Sequence, residues 1–129
     1  MNRVLASAFA VLFTMAVLSS AVYSECAEGN CENGHGTWIW EDGAIYSGDW
    51  RDAMQDGQGI FTWPNGDEYA GEWKDGLMHG QGSMIWANGD QYVGEWNIGE
   101  QDGRGIFIAV HGENYSDEFI DGEVHPDSF

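Results

Sequence analysis

Aromatic residues and glycines recur along the chain with a period of 23 residues. Gly34-His35-Gly36, Gly57-Gln58-Gly59, Gly80-Gln81-Gly82 and Gly103-Arg104-Gly105 open four units, 34–56, 57–79, 80–102 and 103–125, with no insertion between them. Counted from the first glycine of each unit, Trp40, Trp63 and Trp86 share offset 6. Tyr46, Tyr69, Tyr92 and Tyr115 share offset 12, and Trp50, Trp73 and Trp96 share offset 16. The 18 glycines from residue 34 to 125 fall at offsets 0, 2, 9, 14 and 19. Each unit reads as a short strand, a turn at Glu41-Asp42-Gly43, Pro64-Asn65-Gly66, Ala87-Asn88-Gly89 or Val110-His111-Gly112, and a second strand. That make-up predicts a β-hairpin.

The length of the turn decides which side chains share a face. A two-residue Asn-Gly loop would pair offset 7 with offset 10 and put the offset-6 tryptophan opposite the other rings. A three-residue loop, a type I turn closed by a left-handed glycine, pairs offset 6 with 10 and offset 4 with 12. Pro64 suits the first position of such a loop, where its fixed φ is wanted. One face of the second unit then gathers Phe61, Trp63, Tyr69, Gly71 and Trp73. A slip of one residue would turn every ring away, so the register is strongly specified. The glycine between Tyr and Trp lets rings close over bare backbone and predicts a sheet that curls. With Ala109, Asp117 and Phe119 in the Trp, Gly and Trp columns, the fourth unit reads as a terminal cap, and residues 126–129 as a tail.

The run from Gly57 to Gly76, and its repeat from Gly80 to Gly99, resemble MORN (membrane occupation and recognition nexus) repeats. The resemblance implies an all-β fold, with four hairpins stacked into one elongated, twisted antiparallel sheet with an aromatic-lined face. It also implies a binding or assembly module without catalytic residues of its own. A cysteine pair just before the first repeat is similar to the start of secreted bacterial members.

Composition sharpens this picture. After residue 24 the chain holds one leucine, Leu77, and fifteen aromatic residues, so its core must be built of rings rather than as an aliphatic helical bundle. Over the 129 residues, 4 Lys+Arg stand against 22 Asp+Glu, a formal net charge of −18. Phosphate backbones and anionic headgroups are bound through Lys and Arg, so this charge excludes nucleic acid as a partner and disfavours an anionic membrane. Lipid binding is often attributed to MORN proteins, but here only Arg51, Lys74 and Arg104 remain, one base per repeat.

Residues 1–24 read as a signal peptide: Arg3, an apolar stretch from Val4 to Leu18, then Ser19, Ser20, Ala21 and Ser24. Removal after Ala21 or after Ser24 both fit. An uncleaved anchor fits less well, because a span needs about 20 predominantly apolar residues. The chain is therefore expected to be secreted or periplasmic. In an oxidising compartment Cys26 and Cys31 are expected to pair and close a cap over residues 25–33. A metal role for them lacks further ligands.

Other candidate chemistry is thin. Asp49, Glu72, Glu95 and Glu118 share offset 15, but equivalent positions two strands apart lie roughly 10 Å from one another. That is too far to chelate calcium or to act as a retaining glycosidase pair. These carboxylates read as a solvated acidic face or as local hydrogen-bond acceptors. His35, His79, His111 and His125 are scattered among loops. No enzyme, no metal and no cofactor is expected. The nominated residues are the rings Trp40, Tyr46, Trp50, Trp63, Tyr69, Trp73, Trp86, Tyr92 and Trp96, as core, as ligand face, or as both. Core comes first, because a single sheet is expected to have no other apolar surface. The expected function is protein binding or scaffolding with an unidentified partner, which includes a second copy docked through the terminal repeats. A carbohydrate-binding module of the envelope and a membrane-associated module are the alternatives.

Overall fold

The computed structural model describes residues 24–112, 115–120 and 123–124, the last two segments as backbone only. Residues 1–23, all but the last residue of the expected signal peptide, lie outside the described residues, as do His125 and the expected tail at 126–129. Among the described residues ten antiparallel strands form one open sheet in chain order. They are β1 (Glu25–Gly29), β2 (Gly34–Ile39), β3 (Ile45–Arg51), β4 (Met54–Thr62), β5 (Glu68–Lys74), β6 (Leu77–Ile85), β7 (Gln91–Asn97), β8 (Glu100–Ile108), β9 (Tyr115–Ile120) and β10 (Glu123–Val124). No helix occurs among the described residues.

The three-residue turn is present in each of the first three hairpins. Trp40, Trp63 and Trp86 donate their N–H groups to Ala44, Asp67 and Asp90, each at 2.9 Å, and accept in return from Gly43, Gly66 and Gly89. Those glycines have φ of 92°, 97° and 94°, the left-handed conformation that the turn requires. Trp38 pairs with Tyr46, Phe61 with Tyr69 and Met84 with Tyr92, which is offset 4 against offset 12. Asn65 and Asn88 brace their loops by accepting from the N–H two residues on, at 3.0 and 2.9 Å. Asp67 and Asp90 then reach across to the next hairpin loop and accept from Ala87 and Val110.

Successive hairpins are joined by two-residue turns with positive φ at both positions: Asp52-Ala53 (50°, 61°), Asp75-Gly76 (49°, 81°) and Ile98-Gly99 (50°, 80°). Each docks on its predecessor, with Ala53, Gly76 and Gly99 donating N–H to Glu32, Gln55 and Met78. The register shifts between Gly48 and Trp50, Gly71 and Glu72, and Gly94 and Trp96, so each of these junctions carries a β-bulge. Bulges bend a strand and raise its local twist.

The cap at the N-terminal end is a strand rather than a bare loop. β1 pairs with β2, Cys26 opposite Trp38, and Cys26 is disulfide-bonded to Cys31. Asn30 holds the following turn by accepting from Glu32 and Asn33 at 3.0 Å. Asn33 accepts from Asp52 at 3.1 Å, as Asp56 does from Asp75 one repeat on. The cap thus reproduces the docking edge of a repeat.

Candidate functional site

The core lies on one face of the sheet. Tyr46, Tyr69 and Tyr92 are fully enclosed, and Trp50, Trp73 and Trp96 are buried beside them. They alternate edge to face: Trp50–Tyr46–Trp73–Tyr69–Trp96–Tyr92, with centroids 5.0–5.3 Å apart and planes at 83–89°. This geometry sets the positive edge of one ring against the negative face of the next. Every polar handle is used. The three tyrosine hydroxyls donate to the backbone carbonyls of Asp49, Glu72 and Glu95 at 2.9–3.0 Å. The indoles donate to Gly36, Gly59 and Gly82 at 3.0–3.2 Å. Bare backbone makes room for this ladder, because a Cβ at Gly59, Gly82 or Gly105 would overlap the ring of Tyr46, Tyr69 or Tyr92.

Burial raises the pKa of these tyrosines, and a nearby carboxylate adds to the effect. Tyr92, with Glu95 beside it, is pushed up to about 12. Tyr46, near Asp49 and Asp56, and Tyr69, near Glu72, are raised further still.

The nominated rings therefore divide into two sets. Six make the ladder. Trp40, Trp63 and Trp86 stay half-buried along its edge, in company with Trp38, Phe61 and Phe107. Trp40 meets Phe61 at 5.3 Å, Phe61 meets Trp63 at 4.5 Å, and Trp86 meets Phe107 at 5.7 Å. This second line of rings leaves indole surface open to a ligand.

The carboxylates at offset 15 act within the backbone. Asp49 accepts from the N–H of Gln58 at 2.9 Å, Glu95 from Arg104 at 2.5 Å, and Glu72 from Gln81. Each sits at the bulge and takes up an N–H there. The bond from Gln58, followed by one from His35 at 3.3 Å, holds Asp49 below the usual carboxylate range. Among the described residues no group of three or more His, Cys, Asp or Glu is placed to hold a metal.

The opposite face corrects one expectation. The sequence predicts no apolar surface besides the rings, yet Ile60, Val93 and Ile106 lie there exposed, with Ile45 and Ile85 in the adjoining row. Cross-strand pairing lines up Ser47, Ile60, Ala70, Ser83, Val93 and Ile106 in a row across the sheet. The signal was in the sequence, at offsets 3 and 13, but the ring columns overshadowed it.

At the N-terminal end of the ring face a cavity of about 700 Å³ opens between the cap and the first hairpin. Trp38, Trp40 and Trp50 line it, with the disulfide, Asn30 and Gln55 among the remaining walls.

An open sheet of repeated hairpins, one face sealed by a ring ladder and edged with half-open indoles, defines a β-repeat binding module. The MORN repeat family matches at residues 32–45, 46–68, 69–91 and 92–110, more than half of the chain, and the chain belongs to that family. The matched segments begin at Tyr46, Tyr69 and Tyr92, so they follow the same period in a different phase from units opened at Gly57 and Gly80. MORN repeats mark a protein- or membrane-binding repeat module. A comparison with curated proteins found no match.

Proposed function

We propose that this chain is an exported, non-catalytic protein-binding module that acts in the periplasm or outside the cell as a scaffold. The observation that carries the reading is the line of half-buried tryptophans, Trp40, Trp63 and Trp86, left over once the six ladder rings have closed the core. Aromatic side chains with an apolar body still open to solvent are the usual anchors of protein interfaces. A net charge of −18 around them selects basic or neutral partners and repels acidic ones. No cofactor enters this function.

The test is a pull-down from native envelope extract at graded salt, with the wild-type chain beside a Trp63→Ala, Trp86→Ala double variant. Both rings lie outside the enclosed ladder but pack against it, so circular dichroism of the variant checks first that its fold is intact. A protein captured by wild type and lost with the two rings supports the scaffold. Capture that does not depend on the rings, or no protein captured at all, sinks it. Half-buried indoles also suit stacking on sugar rings, which is the second reading. A saturable change in tryptophan fluorescence with envelope glycan fragments, absent from the double variant, would favour it.

A further inference from the structure

The tyrosine–tryptophan ladder stops short at its N-terminal end. Trp73 is flanked by Tyr46 and Tyr69, and Trp96 by Tyr69 and Tyr92, all edge to face. Trp50 has one tyrosine partner, Tyr46 at 5.0 Å. On its other side the cap stands where a preceding repeat would. Cys26 pairs with Trp38 as Tyr46 pairs with Phe61, so a cysteine occupies the backbone position of a ladder tyrosine. Over Gly36 lies the Sγ of Cys31, where Gly59, Gly82 and Gly105 each carry a tyrosine ring. A disulfide is smaller than a phenol ring, and beside it the cavity of about 700 Å³ opens.

We infer that this cup is a binding site for an aromatic side chain presented next to a positive charge, a tyrosine or phenylalanine beside Lys or Arg in a partner polypeptide. The choice of polypeptide rests on the proposed function; the choice of ring does not. The fold itself shows what satisfies a tryptophan at this position, namely a six-membered ring set edge to face against the indole. Trp38 lies 6.3 Å from Trp40 and 6.4 Å from Trp50, with planes tilted by 58° and 56°. The three indoles therefore diverge around a hollow instead of stacking shut. Gln55, among the walls, has a side chain that can hydrogen-bond a phenol hydroxyl. The charge preference follows from the walls: Glu32 lines the cup and neither Lys nor Arg does, in a chain of net charge −18. A cation beside the ring also gains from the faces of the remaining indoles.

The test uses the full chain with ¹⁵N-labelled tryptophan and reads the seven indole N–H signals by NMR. The probe is tyramine, a phenol with an ammonium group. Controls are 4-hydroxyphenylacetate, which has the same ring with a negative charge, putrescine, which has charge without a ring, and N-acetylglucosamine. Tyramine is expected to shift the signals of Trp38, Trp40 and Trp50 saturably, with a dissociation constant of about 1 mM, a range ordinary for a ligand of its size. 4-Hydroxyphenylacetate is expected to bind about tenfold more weakly, through charge alone. Ile106→Ala, on the opposite face, should leave tyramine binding unchanged, and Gln55→Tyr, which puts a ring into the cup, should abolish it without lowering thermal stability. The site is overturned if all seven signals move alike, if putrescine or N-acetylglucosamine moves the same three as strongly, or if Gln55→Tyr binds as wild type does. The two proposals fail separately. If tyramine fills the cup while the pull-down finds no protein, the scaffold falls and the ring site stands. If ring-dependent capture persists while tyramine does not bind, the cup falls alone.

Discussion

At the scale of single residues, one set of acidic side chains with fixed partners stands at the bulges. A bulge leaves an N–H outside the strand ladder, and Asp49, Glu72 and Glu95 each bend back to accept from one. Asp49 is the clearest case, since its carboxyl is held below the ordinary value of 3.8 by the N–H of Gln58 and then by His35. A depressed carboxyl stabilises the fold above its unfolded-state pKa, and that contribution is lost as pH falls through the folded value. In wild type, urea midpoints should therefore decline below about pH 4. Asp49→Asn should flatten part of that decline while lowering the plateau at neutral pH. An acid limb of unchanged slope in the variant would remove Asp49 from the account. The sequence reading placed these carboxylates in one column and allowed local hydrogen bonding, but not the bulge. A bulge is a choice of backbone register, and it leaves no periodic mark when glycine already surrounds it.

At the scale of elements, the two kinds of turn were unequally legible. The three-residue hairpin loop followed from one demand, that Trp, Tyr and Trp share a face, and Pro64 agreed with it. The turns between hairpins had no such lever. All three carry side chains in the left-handed region where glycine is at home, and the two least suited to it are Ala53 at 61° and the β-branched Ile98 at 50°. Packing against the preceding turn fixes them there, through the bonds to Glu32 and Met78 at the docked edges. Residues of this kind cost roughly 1 kcal/mol in such a conformation. Ala53→Gly should therefore raise stability by about 0.5–1 kcal/mol in urea unfolding, the reverse of the usual effect of glycine in a folded chain. Equal or lower stability would mean that the turn relaxes away from its positive φ. Gly82→Ala probes the opposite situation. Its methyl would meet the enclosed ring of Tyr69, which has backbone on its other side. A loss of about 3 kcal/mol or more is expected, in the range of overpacked cores, read as a drop in melting temperature.

At the scale of the whole molecule, the sheet is held by a single linear stack, so its stability should follow the chemistry of the ladder as a unit. Tyr46, Tyr69 and Tyr92 are fully enclosed, with hydroxyls bonded to backbone carbonyls and carboxylates close by, so ionising any of them places a second negative charge near the first and away from water. Their folded pKa values are raised above the ordinary 10, that of Tyr92 to about 12. In the unfolded chain the same groups release their protons near 10. Stability is thus fully present below that pH and falls as pH rises beyond it, because the unfolded chain gives up protons that the folded chain retains. Each tyrosine contributes a slope of about 1.4 kcal/mol per pH unit, and three together about 4. A domain with a total stability of about 5–15 kcal/mol should then unfold within a few pH units above 10. Phenolate absorbance and the loss of near-ultraviolet circular dichroism should rise together as one transition. Tyr92→Phe keeps the ring and its edge-to-face contact with Trp96 while removing the ionisable hydroxyl, so it should reduce the alkaline slope by about a third. It should also lower stability at neutral pH by about 1 kcal/mol, through the lost bond to the carbonyl of Glu95. If instead all the tyrosines of wild type titrate near pH 10 with the dichroism intact, the rings are reachable by water, and the ladder is not what closes the core.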